Sequence, residues 1–364
     1  MASNICYRYY LNSKSLKFKK NSTQLMTHCS KLPKINNETV MRKSLSEITA
    51  PVSSNLSEFR AFFKETIKSD VFLLDQVLAY LLRQKGKELR PTLVFMAANL
   101  FGSINKRTYV AATMIELLHT ATLIHDDVVD EANSRRSFVS INKIWKNKAG
   151  VLLGDYLLSK GLLISLDNEE YQLLQVQSKA VQKMSEGELR QLKTAGLYNM
   201  TEDRYFQIIS EKTASLIATC CESGAISVTD DPKIHSLMHE LGMSIGIAFQ
   251  IRDDLFDYGM YDIGKPKRND IQERKVTLPL IKAYELGPKN EAKRIRVLMK
   301  KRKKTSSDVD DIVRFVHDTG GIEAAKEQMY DYANKAIEML DGIPDSNEKT
   351  DFVDLIHYVI TRKK

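Results

Sequence analysis

Four cysteines in 364 residues exclude a disulfide-stapled fold. Cys6 and Cys29 stand alone and Cys220 and Cys221 are adjacent, so no metal-binding spacing arises; the adjacent pair reads as two small apolar residues on a helix. Eight prolines and sixteen glycines are all the chain has, and they fall mostly at junctions. No segment alternates apolar and polar residues for long enough to argue a sheet. Uninterrupted apolar runs are also short. None reaches the length of about 18 residues that crossing a bilayer needs, so no transmembrane segment is expected. A solenoid is excluded too, because no segment repeats at a fixed period.

Acidic residues are nearly missing from one region only. Residues 1–44 carry nine Lys or Arg and a single acid, Glu38, a net charge of +8, and the remaining residues have 45 of each sign and no net charge. The chain's overall charge of +8 therefore sits in its first segment. A basic nucleic-acid-binding domain is disfavoured, since counterion release requires positive charge on the folded surface. Residues 1–44 are rich in Ser, Thr, Asn and Lys and lack the apolar core of a secretory signal, so they read as an organelle-targeting leader. A mitochondrial destination, matrix or inner membrane, is expected; a plastid-type organelle and a disordered cytosolic tail are the alternatives.

The remainder of the chain reads as helical. From about Leu45 onward apolar residues recur three and four apart, with runs near 56–69, 71–84, 91–100, 107–130, 139–147, 149–165, 169–193, 201–226, 233–258, 275–286, 289–302, 307–318, 321–341 and 347–361. At 43% hydrophobic residues, 45–364 suffices for one large all-α domain.

Within this pattern two segments carry concentrated acid. In Glu116-Leu-Leu-His-Thr-Ala-Thr-Leu-Ile-His-Asp-Asp-Val-Val-Asp-Glu131, helical spacing puts Asp126, Asp127 and Asp130 on one face, with His119 on the same stripe. Alone, such a cluster is more readily a solvated helix end. It recurs, however, as Asp253, Asp254 and Asp257 in Phe249-Gln-Ile-Arg-Asp-Asp-Leu-Phe-Asp257. Two acidic clusters set in apolar helices imply a shared interior site that needs a cation, and hard oxygen donors suit Mg²⁺ together with phosphate oxygens. Cations accompany them: Lys87 and Arg90 at a helix start, Arg135 and Arg136 after the first cluster, Lys212 beside Thr213, and Lys265 and Lys275 beyond the second cluster. Each is ordinary surface charge in isolation and a phosphate ligand in company.

Taken together these motifs resemble the trans-isoprenyl diphosphate synthase family, over roughly Leu74 to Leu280. The matching pieces are GKELRP at 86–91, ELLHTATLIHDDVVDEANSRR at 116–136, GDYLLSKG at 154–161, EGEL at 186–189, EKTASL at 211–216, FQIRDDLFD at 249–257 and ERKVTLP at 273–279. The resemblance implies an isoprenoid synthase fold, a helical bundle around a deep central cavity, usually a homodimer. It implies that Lys87, Arg90, His119 and Arg136 hold the diphosphate of isopentenyl diphosphate. Arg135, Lys212, Thr213, Gln250 and Lys275 are implied to contact the allylic diphosphate. Asp126, Asp130 and Asp253 are the implied main Mg²⁺ ligands, with Asp127, Asp254 and Asp257 in or near the shell and three ions per site. Departures occur at Arg268 and Arg274, where the family usually has glycine.

The helix preceding Asp126 bears on product length, because each isoprene unit is about as long as one helical turn, roughly 5.4 Å. Short-chain members of the family carry bulky aromatics four or five residues before the first Asp. Here Thr122 and Ala121 occupy those positions, with Leu118, Ile115 and Ala111 farther along, so a long all-trans polyprenyl diphosphate is expected, for use as a quinone (ubiquinone) side chain. A short-chain farnesyl or geranylgeranyl diphosphate synthase and a non-catalytic subunit of a heteromeric synthase are the competing readings. A terpene cyclase fits less well, because the second Asp cluster is intact. Beyond a partner subunit and peripheral membrane contact for product release, no macromolecular partner is expected.

Overall fold

The computed structural model describes residues 43–83, 88–129, 134–135, 138–139, 141–194, 200–259 and 268–362. Residues 1–42 of the expected leader, and with them Lys87, Asp130, Arg136 and Lys265, lie outside the described residues; of its last two, Lys43 pairs with Asp351 and Asp354 on the last helix and Ser44 caps the first. The first described helix opens at Leu45, where Ser44 and Glu47 close a reciprocal capping box.

The helices are α1 Leu45–Ile48, α2 Ser53–Thr66, α3 Phe72–Arg83, α4 Leu89–Asn99, α5 Lys106–Val129, α6 Ile141–Asp167, α7 Tyr171–Thr194, α8 Glu202–Ile209, α9 Ser215–Ile226 and α10 Pro232–Phe256. They continue as α11 Asn269–Gln272, α12 Leu278–Leu286, α13 Lys289–Lys300, α14 Ser306–Asp318, α15 Gly321–Met339 and α16 Asn347–Thr361. Among the described residues the one exception to the all-helical expectation is a two-residue antiparallel ribbon, Ser134–Arg135 (β1) against Phe138–Val139 (β2). The separate runs expected at 139–147 and 149–165 join in α6, which kinks at Lys146 (φ 69°). The single run expected at 201–226 is split instead by a π turn, Ser210–Ala214, between α8 and α9.

Helix α9 is buried along nearly its whole length, and Ala218, Cys220, Cys221, Ala225 and Ile226 are fully buried. A helix with so little surface left to solvent belongs in the middle, and α4, α5, α7 and α10 pack around it. Two hydrogen bonds fix the directions. Thr108 near the start of α5 shares its hydroxyl with Ser227 just past the end of α9 at 2.8 Å, and His235 near the start of α10 meets the Thr229 carbonyl at 2.7 Å. Both α5 and α10 therefore start at the foot of α9 and run antiparallel to it. Asp126 stands eighteen residues above Thr108 and Asp253 eighteen above His235. At helical rise each is about 27 Å from the foot, so the two acidic clusters reach the same end of the bundle.

Helix α6 packs along α5 with Leu153 and Leu157 buried, while Leu152, Leu162, Leu163 and Leu166 on its other side are exposed. By length and composition α6 could cross a bilayer, which a run-length criterion does not register because Asp155 and Lys160 interrupt it.

Arg268 and Arg274, the two departures from the family's glycines, adopt left-handed φ angles of 51° and 64°. Arg274 ends α11 in a Schellman turn: its N–H donates to Ile271 O at 3.2 Å, and that of Lys275 to Asp270 O at 2.8 Å. Glycine suits this conformation without a Cβ penalty, and its place is taken here by strained arginine. Arg274→Gly is expected to raise stability by about 0.5–1 kcal/mol, read as a rise in the midpoint of urea unfolding.

Candidate active site

The site is built at the end of the bundle where α5 and α10 stop. Asp126 and Asp127 occupy the last turn of α5 and Asp253 and Asp254 the last turn of α10, with Asp257 as its C-cap. Level with them the π turn lifts Lys212 and Thr213 out of regular helical register, as π turns commonly do at functional sites. The turn can come this close to α10 because Gly246 has no side chain: a Cβ there would stand 2.5 Å from the Ala214 Cα. Gly246→Val is therefore expected to destabilise the fold by about 3 kcal/mol, lowering the thermal midpoint by several degrees and disturbing Thr213 with it.

A chain of buried polar contacts then ties turn to helix. Thr213 Oγ1 donates to Gln250 Oε1 at 2.9 Å, Gln250 Nε2 to Asp254 Oδ1 at 2.8 Å, and the Tyr205 hydroxyl to Asp254 Oδ2 at 2.6 Å. Both carboxylate oxygens of Asp254 are thus engaged by protein. Burial pushes its carboxyl up to about 8, and the charges of Asp270 and Asp253 add to the rise against the lowering effect of the two hydrogen bonds. Asp254, expected in or near the metal shell, also fixes Gln250 and Tyr205.

Asp253 is different, being half-exposed, with guanidinium nitrogens of Arg252 and Arg362 at 3.4 and 3.8 Å. Arg252 is itself fully buried beneath the Phe256 ring, 4.4 Å from its centroid, and donates to Val359 O at 2.8 Å, which ties α16 to the second acidic cluster. Asp257 accepts the Asp270 N–H at 2.7 Å, and its carboxyl is raised to about 6, chiefly by burial and further by the Asp270 charge.

Lys212 pairs with Glu188 on α7 and donates to Gln191 at 3.4 Å. Helix α7 approaches this closely at Gly187, where a Cβ would meet the backbone nitrogen of Lys212 at 3.1 Å. Of the other expected residues, His119 is buried on α5 and Arg90 is half-buried on α4, near enough to Cys220 for its charge to act on that thiol. Lys275 is exposed and pairs with Glu273 at 2.7 Å, and its Nζ also stands 3.7 Å from Asp270, whose N–H meets Asp257. Arg135 lies in β1. Ala121 and Leu118 are buried and Thr122 is half-buried, its hydroxyl donating to His119 O at 2.9 Å.

Sequence reasoning did not single out Tyr205, Glu188, Arg252 or Arg362. Tyr205 is 49 positions from Asp254, so no local spacing announces it. Glu188 sits inside the EGEL motif, whose Gly-Glu pair was the available sign. Among the described residues no three acidic, His or Cys side chains converge as a ready-made metal cage. The donors are nevertheless all carboxylate oxygens, and those around Asp254 raise one another's proton affinity. Such a set fits a hard divalent cation that completes its shell with water and phosphate oxygens.

Two acid-tipped helices beside a lysine-bearing π turn, at one end of a helical bundle, form a set of charges suited to a polyanionic ligand bridged by a hard cation. The sequence matches the polyprenyl synthetase family over residues 71–316. It is 33% identical over 323 residues to decaprenyl-diphosphate synthase of Dictyostelium discoideum, covering 88% of this chain and 68% of that one. With octaprenyl diphosphate synthase of Escherichia coli it shares 30% identity, over 88% of this chain and all (100%) of the other. The crystal structure of a polyprenyl synthase from Caulobacter crescentus, complexed with calcium and isoprenyl diphosphate, superposes with a TM-score of 0.81 at 30% identity, covering 89% and 100% of the two chains. The chain belongs to the polyprenyl synthetase family and is a trans-polyprenyl diphosphate synthase, a prenyltransferase with the isoprenoid synthase fold.

Proposed function

We propose that this enzyme adds isopentenyl diphosphate head to tail onto an allylic diphosphate, repeatedly, to make a long all-trans polyprenyl diphosphate. The observation that carries this reading is the placement of Asp126 and Asp127 on one helix end and Asp253 on another at the same level of the bundle, beside Lys212. Asp126, Asp127 and Asp253, with Asp130 and Asp257, hold Mg²⁺, three ions in all; when bound it supplies the Lewis acidity that stabilises a departing diphosphate.

The chain's own groups do the rest. Lys212, Thr213 and Gln250, with Arg135 and Lys275, orient the allylic diphosphate, and a lysine held by Glu188 is poised to exchange that partner for a phosphate oxygen. Lys87, Arg90, His119 and Arg136 hold the diphosphate of the incoming isopentenyl unit. Apolar walls along α5, among them Leu118 and Ala121, keep water from the allylic cation, which water would quench.

The exposed apolar side of α6 supports self-association as a homodimer and contact of the product end with a membrane. The basic leader favours a mitochondrial site of action, where the product would serve as a quinone side chain.

Incubation of the purified protein with isopentenyl diphosphate, farnesyl diphosphate and Mg²⁺, with products resolved by mass, tests the reading. Products longer than four isoprene units are expected, and their formation should fall by on the order of 10³-fold after chelation with EDTA and return on adding Mg²⁺. Products stopping at four units, or undiminished by chelation, would refute it.

A further inference from the structure

An overall balance of charge in residues 45–364 hides one segregated stretch. Residues 289–304 carry nine Lys or Arg and a single acid, Glu291, a net charge of +8 in sixteen residues. They form α13 and the turn that leads into α14, and α13 packs against α12 and α14. Its inner face is apolar, with Ala292, Ile295 and Met299 buried. On the outer face Lys289, Lys293, Arg296 and Lys300 recur at steps of four, three and four residues, so they form one exposed stripe along the whole helix. Val297 stands beside them 60% exposed, and the exposed Arg302 and Lys303 continue the charge past the helix end.

The fold accounts for part of this charge. Arg294 pairs with Asp311 and Lys301 with Asp308, each at 2.6 Å, and Arg296 lies over the Tyr284 ring at 4.6 Å. Lys304 is buried and donates to Lys301 O at 3.2 Å. Lys300, in the last turn, complements the negative end of the helix dipole. Lys289 opens α13, where a cation opposes the dipole, and like charges at four-residue spacing repel. Lys289, Lys293, Arg302 and Lys303 pair with no acid among the described residues. No described partner explains these four, and their concentration on one face calls for a polyanion outside the fold.

We infer that the outer face of α13, with residues 301–303, is a contact surface for a bilayer of anionic phospholipid. The choice of a bilayer among polyanions rests on the long-chain reading of the enzyme: a polyprenyl product is hydrocarbon over nearly its whole length, and water cannot receive it. An exposed valine amid cations suits that partner, since Val297 can enter the headgroup layer while lysine and arginine stems reach the phosphates around it. Each cation brought to such a surface strengthens binding about fivefold. No group assigned to the diphosphates or the metal lies on α13, so the surface acts on where the enzyme works and leaves the condensation itself alone.

The full-length protein is floated with vesicles of phosphatidylcholine alone or with about one-third phosphatidylglycerol, at low salt and at about 1 M, where the Debye length is about 3 Å. It is compared with the variant Lys289→Gln/Lys293→Gln/Arg302→Gln/Lys303→Gln. Anionic vesicles are expected to bind the unaltered protein and high salt to release it. The variant should bind them on the order of 10²-fold more weakly, with thermal midpoint, product masses and first-condensation rate in detergent unchanged. The basic leader is common to both proteins, so this difference belongs to α13. A second readout is local: in Val297→Trp, brominated lipid in anionic vesicles should quench fluorescence beyond the background of Trp145, the chain's single tryptophan. A variant that floats as well as the unaltered protein would overturn the surface, as would an unquenched Val297→Trp. Loss in the variant of binding to duplex DNA, with vesicle binding intact, would overturn it in favour of nucleic acid. Products that stop at four isoprene units, while vesicle binding stays sensitive to the four substitutions, would refute the long-chain reading and leave the surface standing.

Discussion

Alanine at Asp253 is expected to lower turnover by on the order of 10³-fold, about 4 kcal/mol of transition-state stabilisation, in a protein that still folds. Its carboxylate is half-exposed at the end of α10, and the guanidinium groups of Arg252 and Arg362 stand 3.4 and 3.8 Å away, at the limit of an ion pair. Arg252 keeps Val359 O and the Phe256 ring as partners but loses its carboxylate neighbour, so a modest fall in the thermal midpoint is expected beside the loss of rate. Asp254→Ala should behave differently, because it leaves the Tyr205 hydroxyl and the Gln250 amide without the acceptors they now use. There the thermal midpoint falls together with the rate. Steady-state kinetics beside thermal unfolding separates the two aspartates. An Asp253→Ala protein with native turnover would exclude the assigned role and favour a non-catalytic scaffold.

Phenylalanine at Ala121 is expected to shift the whole product distribution, from long chains to three or four isoprene units. Ala121 is fully buried on α5, five residues before Asp126, and Leu118 lies one turn farther down. A ring there occupies the space that a growing chain must enter after its third unit. Overpacking a closed core typically costs about 1–3 kcal/mol, whereas filling a groove that a substrate would otherwise occupy costs less. The two outcomes are distinguishable by product mass and thermal midpoint measured on one sample. Short products with a nearly native midpoint mark Ala121 as a groove wall. A lowered midpoint with unchanged product length would mean that Ala121 only packs core.

The helical architecture was legible because apolar residues recur three and four apart almost without interruption from Leu45 onward, a pattern that admits no alternative element. The helix breaks were less so. Ser210–Ala214 has good helical sequence, and its π turn arises from packing, where α7 presses in at Gly187 and α10 at Gly246. The ribbon at Ser134–Val139 is too short to leave a period. Within the site the aspartates announced themselves by repetition, and Lys212, Thr213 and Gln250 by the motifs around them. What repetition could not reveal was how differently Asp253 and Asp254 are surrounded. The two are neighbours in sequence, yet they face different sides of α10, one half-exposed and the other buried against the distant Tyr205. Arg268 and Arg274 were visible as departures, and only their left-handed backbone explains what glycine would do there.

Helices α5 and α10 both finish at the end where the aspartates gather, so the negative poles of two aligned peptide dipoles, each worth roughly half an elementary charge, add to the carboxylates already there. A bare pyrophosphate ester approaching this end meets repulsion from backbone as well as side chains. Metal and ester should consequently arrive as a neutralised complex or in that order, and the ester's affinity measured in chelator should be weak even where every aspartate has been kept.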